Sequence, residues 1–139
     1  MSSIILASAS PRRAELLEQI GVAFSVQPAH IDDTPRAVEM PGDYVERLAR
    51  EKALAVAISF PDKLILGSDT SVVLDNVILG KPSDAYEAGT MLAELSAKTH
   101  RVMTAIALVQ GGRCESRLVT TEVTFRKLLE PEIAAYVAS

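Results

Sequence analysis

The chain has 139 residues, of which 48% are apolar and 23% charged, with a formal net charge of −4. That length and mix suit one α/β domain with a real core, and the acidic balance argues against a nucleic-acid partner. A single cysteine, Cys114, excludes an internal disulfide and fits a reducing cytoplasm, while the absence of any run of about 18 apolar residues predicts no membrane span.

Ile4-Ile5-Leu6 predicts a strand over about residues 3–7. Ser10 suits the N-cap of the helix that follows, and Pro11 suits its first position. Arg12 and Arg13 then fall in the first turn, where each cation opposes the helix dipole by roughly 0.3–1 kcal/mol. Beside free backbone N–H groups and two serine hydroxyls, such cations read as a phosphate or carboxylate site. Two solvated surface arginines are the plain alternative. The helix keeps Leu16, Leu17 and Ile20 on one side and stops at Gly21. Val22, Phe24 and Val26 predict a second strand. Residues 28–42 form a polar loop with Asp32, Asp33, Pro35 and Pro41, of a length usually kept for function or motion.

A helix over about residues 43–58 follows, with an inner stripe at Val45, Leu48, Ala49, Lys52 and Val56. Lys52 either snorkels outward or points into a polar pocket at the sheet edge. Leu64-Ile65-Leu66 opens a buried strand that passes through Gly67-Ser68-Asp69-Thr70 and resumes at residues 71–74. Asp75-Asn76 then turns the chain into Val77-Ile78-Leu79. Asp69 is out of place in such a strand and needs a charge partner, hydrogen bonds or a metal, whether its role is structural or chemical. Gly80-Lys81-Pro82 reads as a plain loop or a binding loop. Asp84 and Glu87 form a capping box that opens a helix to about Leu95. Residues 101–109 and 118–125 are long strands joined around Gly111-Gly112. The first is apolar on both faces and so should be central. The second sets Val119, Thr121, Val123 and Phe125 on one face. Pro131 starts a last helix carrying Ile133, Ala134 and Val137.

Local structure leaves seven residues unexplained: Ser8, Arg12, Arg13, Asp33, Lys52, Asp69 and Lys81. Each sits at a strand end, a helix start or a loop, where open α/β sheets take ligands. Four cations suit a polyphosphate, and two carboxylates suit a divalent metal bridging its oxygens, one of them also able to deprotonate water. No GxxxxGK[ST] or GxGxxG is present, which argues against P-loop and dinucleotide-binding chemistry. His30 and His100 lack partners at ligand spacing, so no zinc site is expected, and Cys114 reads as structural.

Leu6-Ala7-Ser8-Ala9-Ser10-Pro11-Arg12-Arg13 with Glu15-Leu16-Leu17 resembles the opening signature of the Maf family of nucleotide pyrophosphatases. The resemblance continues through Tyr44-Val45-Glu46-Arg47-Leu48-Ala49, Lys52-Ala53, Leu66-Gly67-Ser68-Asp69-Thr70, Gly80-Lys81-Pro82, His100-Arg101-Val102-Met103-Thr104 and Thr121-Glu122-Val123-Thr124-Phe125-Arg126. It implies a mixed central sheet flanked by helices, related to the inosine triphosphate pyrophosphatases. It also implies cleavage of nucleoside triphosphates to monophosphate and pyrophosphate with a divalent cation, magnesium or manganese, which limits nucleotide misincorporation.

By the same resemblance Asp69 is the proton acceptor, and Ser8, Arg13, Lys52 and Lys81 hold phosphate, the two lysines as catalytic groups. Asp33 stands where the family usually has glutamate and, with Asp69, is a candidate metal ligand. Arg12 and Thr70 match the dTTP and UTP branch; the 7-methyl-GTP branch has tryptophan and glutamine there. Ala97 occupies a place where glycine is common. Family members continue past the Tyr136-Val137 helix, so residues 1–139 are expected to be a single domain lacking a C-terminal segment. The missing segment leaves open a nucleotide-binding protein without turnover, linked to septum formation; a 7-methyl-GTP pyrophosphatase is the third alternative, and a homodimer is also open.

Overall fold

The computed structural model describes residues 4–8, 10–80 and 82–138, with Pro11 described by its backbone alone. The elements are β1 (Ile4–Leu6), α1 (Pro11–Gln19), β2 (Phe24–Val26), α2 (Pro41–Ala57), β3 (Leu64–Leu74), β4 (Val77–Leu79), α3 (Ala85–Leu95), β5 (Thr99–Gln110), β6 (Arg113–Thr124) and α4 (Glu130–Ala138). The hydrogen-bonded strand order is β2-β1-β3-β5-β6, with β4 pairing with β3 off that path. β1 runs parallel to both neighbours, with Ile5 opposite Ser25 and Ile65, whereas β4 is antiparallel to β3. The sheet is therefore mixed, as expected. The described residues fall into two compact units, one within Met1–Thr70 and Thr104–Val119, the other within Ser71–Met103 and Thr120–Ser139.

In the first unit the core gathers Ile5, Leu6, Val45, Leu48, Ala49, Ala53, Ile65, Ala105, Ala107 and Val109, all buried. α2 lies close against β3 because Gly67 has no side chain. A Cβ there would fall 2.2 Å from the Ala49 carbonyl oxygen and 2.9 Å from the Ala53 Cβ. α2 begins at Pro41, two residues before the pattern predicts, since proline at the first helical position gives up an N–H that has no partner anyway.

α1 departs from expectation at two points. Ser10 is the extended N-cap residue, but its side chain makes no capping bond. Its backbone N–H instead donates to Ser8 Oγ at 3.0 Å. The apolar stripe is also only partly covered, with Leu16 49% and Ile20 71% exposed. Its end follows the sequence: Gly21 takes φ +75°, Val22 N–H reaches Leu17 O and Gly21 N–H reaches Glu18 O, both at 3.1 Å. This pair of bonds is a Schellman cap.

β5 is an interior strand, as predicted, yet its two faces differ. Ala105, Ala107 and Val109 are buried while Ile106 and Leu108 remain exposed. Apolar residues on both faces therefore did not mean burial on both. β6 starts at Arg113, five residues earlier than expected, because the two-residue Gly111-Gly112 link lets antiparallel pairing resume at once.

In the second unit, Asp75 and Asn76 both have left-handed φ, the pair that suits a two-residue hairpin between β3 and β4. Asp84 caps α3 by accepting from Glu87 N–H at 2.8 Å. The Glu87 carboxylate accepts from Ser83 N–H at 2.9 Å, one residue before the usual partner in a capping box. α3 packs on α4. His100 is buried, edge-on to the Phe125 ring with centroids 4.9 Å apart. Before it, Ala97 is held at φ +57°, its N–H donating to Arg126 O at 3.2 Å.

Two substitutions test these backbone constraints by urea denaturation. A left-handed non-glycine residue costs about 1–2 kcal/mol, and glycine returns about 0.4–1 kcal/mol of that through the unfolded chain. Ala97→Gly is therefore expected to raise stability, by about 0.5–1 kcal/mol. Gly67→Ala is expected to lower it by at least about 1–3 kcal/mol, because the nearest obstacle is backbone and cannot rotate away.

Candidate active site

β1 pairs with β3 at residues 64–66, and Ala7 N–H adds a last bond to Leu66 O at 2.9 Å. The chain then turns at Ser8 into α1. Residues 68–70 of β3 thus run past the end of β1, at the kind of strand end where open α/β sheets bind ligands. Side chains from α1 and α2 reach this stretch of strand.

Lys52, on α2, donates from Nζ to Asp69 Oδ1 at 2.9 Å and to the Ser68 carbonyl at 3.3 Å. Its side chain is only 21% exposed and that of Asp69 14%. Lys52 therefore points into a polar site rather than outward, and Asp69 has the charge partner its strand position demanded. Thr70 is the next residue along β3, so its side chain leaves from the other face. Its Oγ1 accepts from Arg13 Nη2 at 3.2 Å and lies 3.1 Å from Thr104 Oγ1. Burial pushes the Arg13 guanidinium down from its ordinary pKa, and the charge of Asp69 pulls it back up.

The other predicted residues are placed unevenly. Ser8 is buried at the end of β1, where its Oγ orients the turn by accepting from Ser10 N–H. Arg12 and Arg13 occupy the first turn of α1, with no acidic residue there to offset them; Arg12 is exposed. Asp33 is exposed on the loop before α2, and its carbonyl accepts from Tyr44 Oη at 2.5 Å. Lys81 lies outside the described residues.

Burial first, then the charges of Asp33 and Asp69, raise the Tyr44 phenol above its ordinary pKa, against the opposing charge of Arg47. Among the described residues no cluster of three or more His, Cys, Asp or Glu side chains gathers to hold a metal. A pair of carboxylates nevertheless fits a magnesium-type ion, which takes one or two protein carboxylates and completes its shell with phosphate oxygens and water. Of the two histidines, His30 is exposed and His100 is buried within the second unit.

The sequence reading missed Tyr44, Arg47, Glu39 and Thr104 as parts of this site. Arg47 Nε and Nη2 clasp the two oxygens of Glu39 at 2.7 and 2.9 Å. Its Nη1 donates to Glu51 at 3.1 Å, and Nη2 also donates to the Thr34 carbonyl at 3.2 Å. A signal was available on the helix, where Tyr44, Arg47 and Glu51 recur at i, i+3 and i+7 on one face. Nothing local marked Glu39.

The Arg47 hydrogen bonds, followed by the Arg36 backbone N–H, hold the Glu39 carboxyl down from 4.5 to about 2. A folded-state pKa below the unfolded one means the tether is complete above pH 4.5 and is lost as pH falls toward about 2. The NMR shift of the Arg36 amide, which donates to Glu39, is expected to titrate near the lower value. A midpoint at the ordinary carboxylate pKa would contradict the pairing.

A sequence profile of the Maf-like protein family matches residues 3–139. A dTTP/UTP pyrophosphatase of Syntrophus aciditrophicus is 49% identical over 138 residues, covering 98% of this chain and 67% of the relative. One from a Shewanella species is 50% identical, covering 99% and 75%. One from Escherichia coli K12 is 49% identical, covering 100% and 71%. Among solved structures, a HAM1 protein from Coxiella burnetii superposes with a TM-score of 0.58 at 17% identity, over 89% of this chain and 73% of that one. The Staphylococcus aureus Ham1 protein gives 0.55 at 17% identity, over 88% and 70%. At such identity the likeness concerns the fold. Among the described residues no helix is long and apolar enough to cross a membrane.

Proposed function

The chain belongs to the Maf-like protein family, and from that membership and the site geometry we propose that it hydrolyses dTTP and UTP to the monophosphate and pyrophosphate. The observation that carries the reading is the Lys52–Asp69 pair at the free edge of β3, with Arg13 reaching the next residue, Thr70, at 3.2 Å. Arg13 and Lys52 offer local positive charge to a triphosphate in a chain that is acidic overall.

Lys52 occupies Asp69 Oδ1, and Oδ2 makes no hydrogen bond to any described residue. Oδ2 is thus the oxygen left to take a proton from water as the water oxygen attacks the α-phosphorus. The bond from that phosphorus to the α,β-bridging oxygen breaks, and pyrophosphate leaves with the electron pair. Arg13 and Lys52 hold the phosphates, and the orienting bond at Ser8 Oγ leaves the hydroxyl proton free to donate to one of them. Lys81 is assigned to the phosphates as a catalytic group by the Gly80-Lys81-Pro82 match. Arg12 and Thr70 bear on the choice of base. Asp33 and Asp69 would hold a magnesium or manganese ion, whose contribution is to neutralise charge on the phosphate oxygens. The activity would serve to remove nucleotides from the cytoplasmic pool before they are misincorporated.

The test is pyrophosphate release from dTTP, UTP and 7-methyl-GTP, with nucleotide binding measured in the same sample. Turnover is expected for the first two and to disappear on chelation with EDTA. Asp69→Asn is expected to lower kcat by about 10²–10⁴-fold with nucleotide binding retained. Lys52→Ala is expected to lower kcat/KM by about 10²–10³-fold. Binding of dTTP without any pyrophosphate release would favour a nucleotide-binding protein, and unchanged turnover in Asp69→Asn would remove that residue as the base.

A further inference from the structure

Residues 28–40 contain no helix or strand, yet the part bearing Asp33 is tied to α2 at several points. Tyr44 Oη donates to the Asp33 carbonyl, and Arg47 Nη2 donates to the next one, at Thr34. Arg47 also clasps Glu39 through two nitrogens, and Glu39 in turn accepts from the Arg36 N–H at 3.0 Å. The guanidinium lies 5.6 Å from the centre of the Tyr44 ring. The two groups holding the loop are thus one helical turn apart and in contact. Lys52, farther along the same helix, holds Asp69.

Arg47 has little capacity for substrate. Its Nε, Nη1 and Nη2 groups are all engaged, and two carboxylates, Glu39 and Glu51, offset its charge. It differs in this from Lys52, which has a single carboxylate partner, and from Arg13, which bonds a hydroxyl. The Arg47 and Glu39 side chains are also only 14% and 10% exposed, so the clasp is sheltered from solvent.

We infer that Arg47 is a positioning residue: by clasping Glu39 and the Thr34 carbonyl it locks the loop onto α2, so that Asp33 is already ordered when a divalent cation binds. This rests on the reading of Asp33 and Asp69 as cation ligands. An exposed aspartate on an untethered loop would have to be ordered at the moment of binding, at a cost in cation affinity. The clasp orders it in advance.

Two measurements on the full chain without nucleotide test this: amide hydrogen exchange across residues 33–39, and Mn²⁺ affinity by electron paramagnetic resonance. Arg47→Ala is expected to speed exchange of the loop at least about tenfold, to leave exchange at Leu48, Ala49 and Ala53 unchanged, and to weaken Mn²⁺ binding about 10–100-fold. Glu39→Gln attacks the clasp from the loop side and is expected to do the same in smaller measure, which keeps the test valid if Arg47→Ala folds poorly. Arg47→Lys retains the charge without the two-pronged grip and is expected to rescue neither readout fully. Unchanged loop exchange would overturn the clasp. Faster exchange with unchanged Mn²⁺ affinity, while Asp33→Asn weakens that affinity, would overturn the positioning role alone. If Asp33→Asn binds Mn²⁺ like the parent protein, the ligand reading itself fails and the inference falls with it.

Discussion

The approach of α2 to β3 across Gly67 governs the rest of the site. With no Cβ at that position, the helix backbone around Ala49 and Ala53 sits directly on the strand. Lys52 lies within that span of helix, and Asp69 is two residues beyond Gly67, on the same face of the strand. Small residues at the seam therefore set the distance over which a lysine meets a carboxylate. A larger residue at the seam would move the helix, and the ion pair with it. Packing and chemistry share one constraint here.

Charge is arranged in two kinds of cluster. Around Asp69, Lys52 engages one carboxylate oxygen, while Arg13, half-buried, bonds the neighbouring Thr70 and has no salt bridge among the described residues. Around Arg47, carboxylates are in excess, and the guanidinium is almost fully committed to protein partners. The first arrangement suits a polyanionic ligand, because unbalanced positive charge in a half-buried site is relieved when phosphate enters. The second suits structure, because a balanced, sheltered clasp has little to gain from a ligand. Neither local sequence nor net charge distinguishes an arginine of one kind from one of the other. Their partners do.

Elements were largely legible from local signals. The left-handed Asp75-Asn76 turn, the Asp84 cap and the Gly21 end of α1 each depend on residues a few positions apart. The boundaries that moved did so for local reasons as well, such as proline being admitted at the start of α2. Burial was less legible. The stripe on α1 and the second face of β5 read as core, but an apolar pattern states only what could be covered. Among the site residues, Asp69 and Lys52 stood out because each was chemically wrong for its surroundings. Tyr44 and Thr104 looked ordinary where they stood and were passed over.

By itself the sequence determined the order and kind of the elements, the family, and which charged side chains lacked a local purpose, since propensity, capping and turn chemistry act over a few residues. Tertiary structure alone decided the pairings: Lys52 with Asp69 across 17 positions, Arg13 with Thr70 across 57, and Arg47 with Glu39 between a helix and an irregular loop. Such partners are chosen by where one strand outlasts its neighbour and how closely a helix can lie against it. Both depend on distant parts of the chain being folded together.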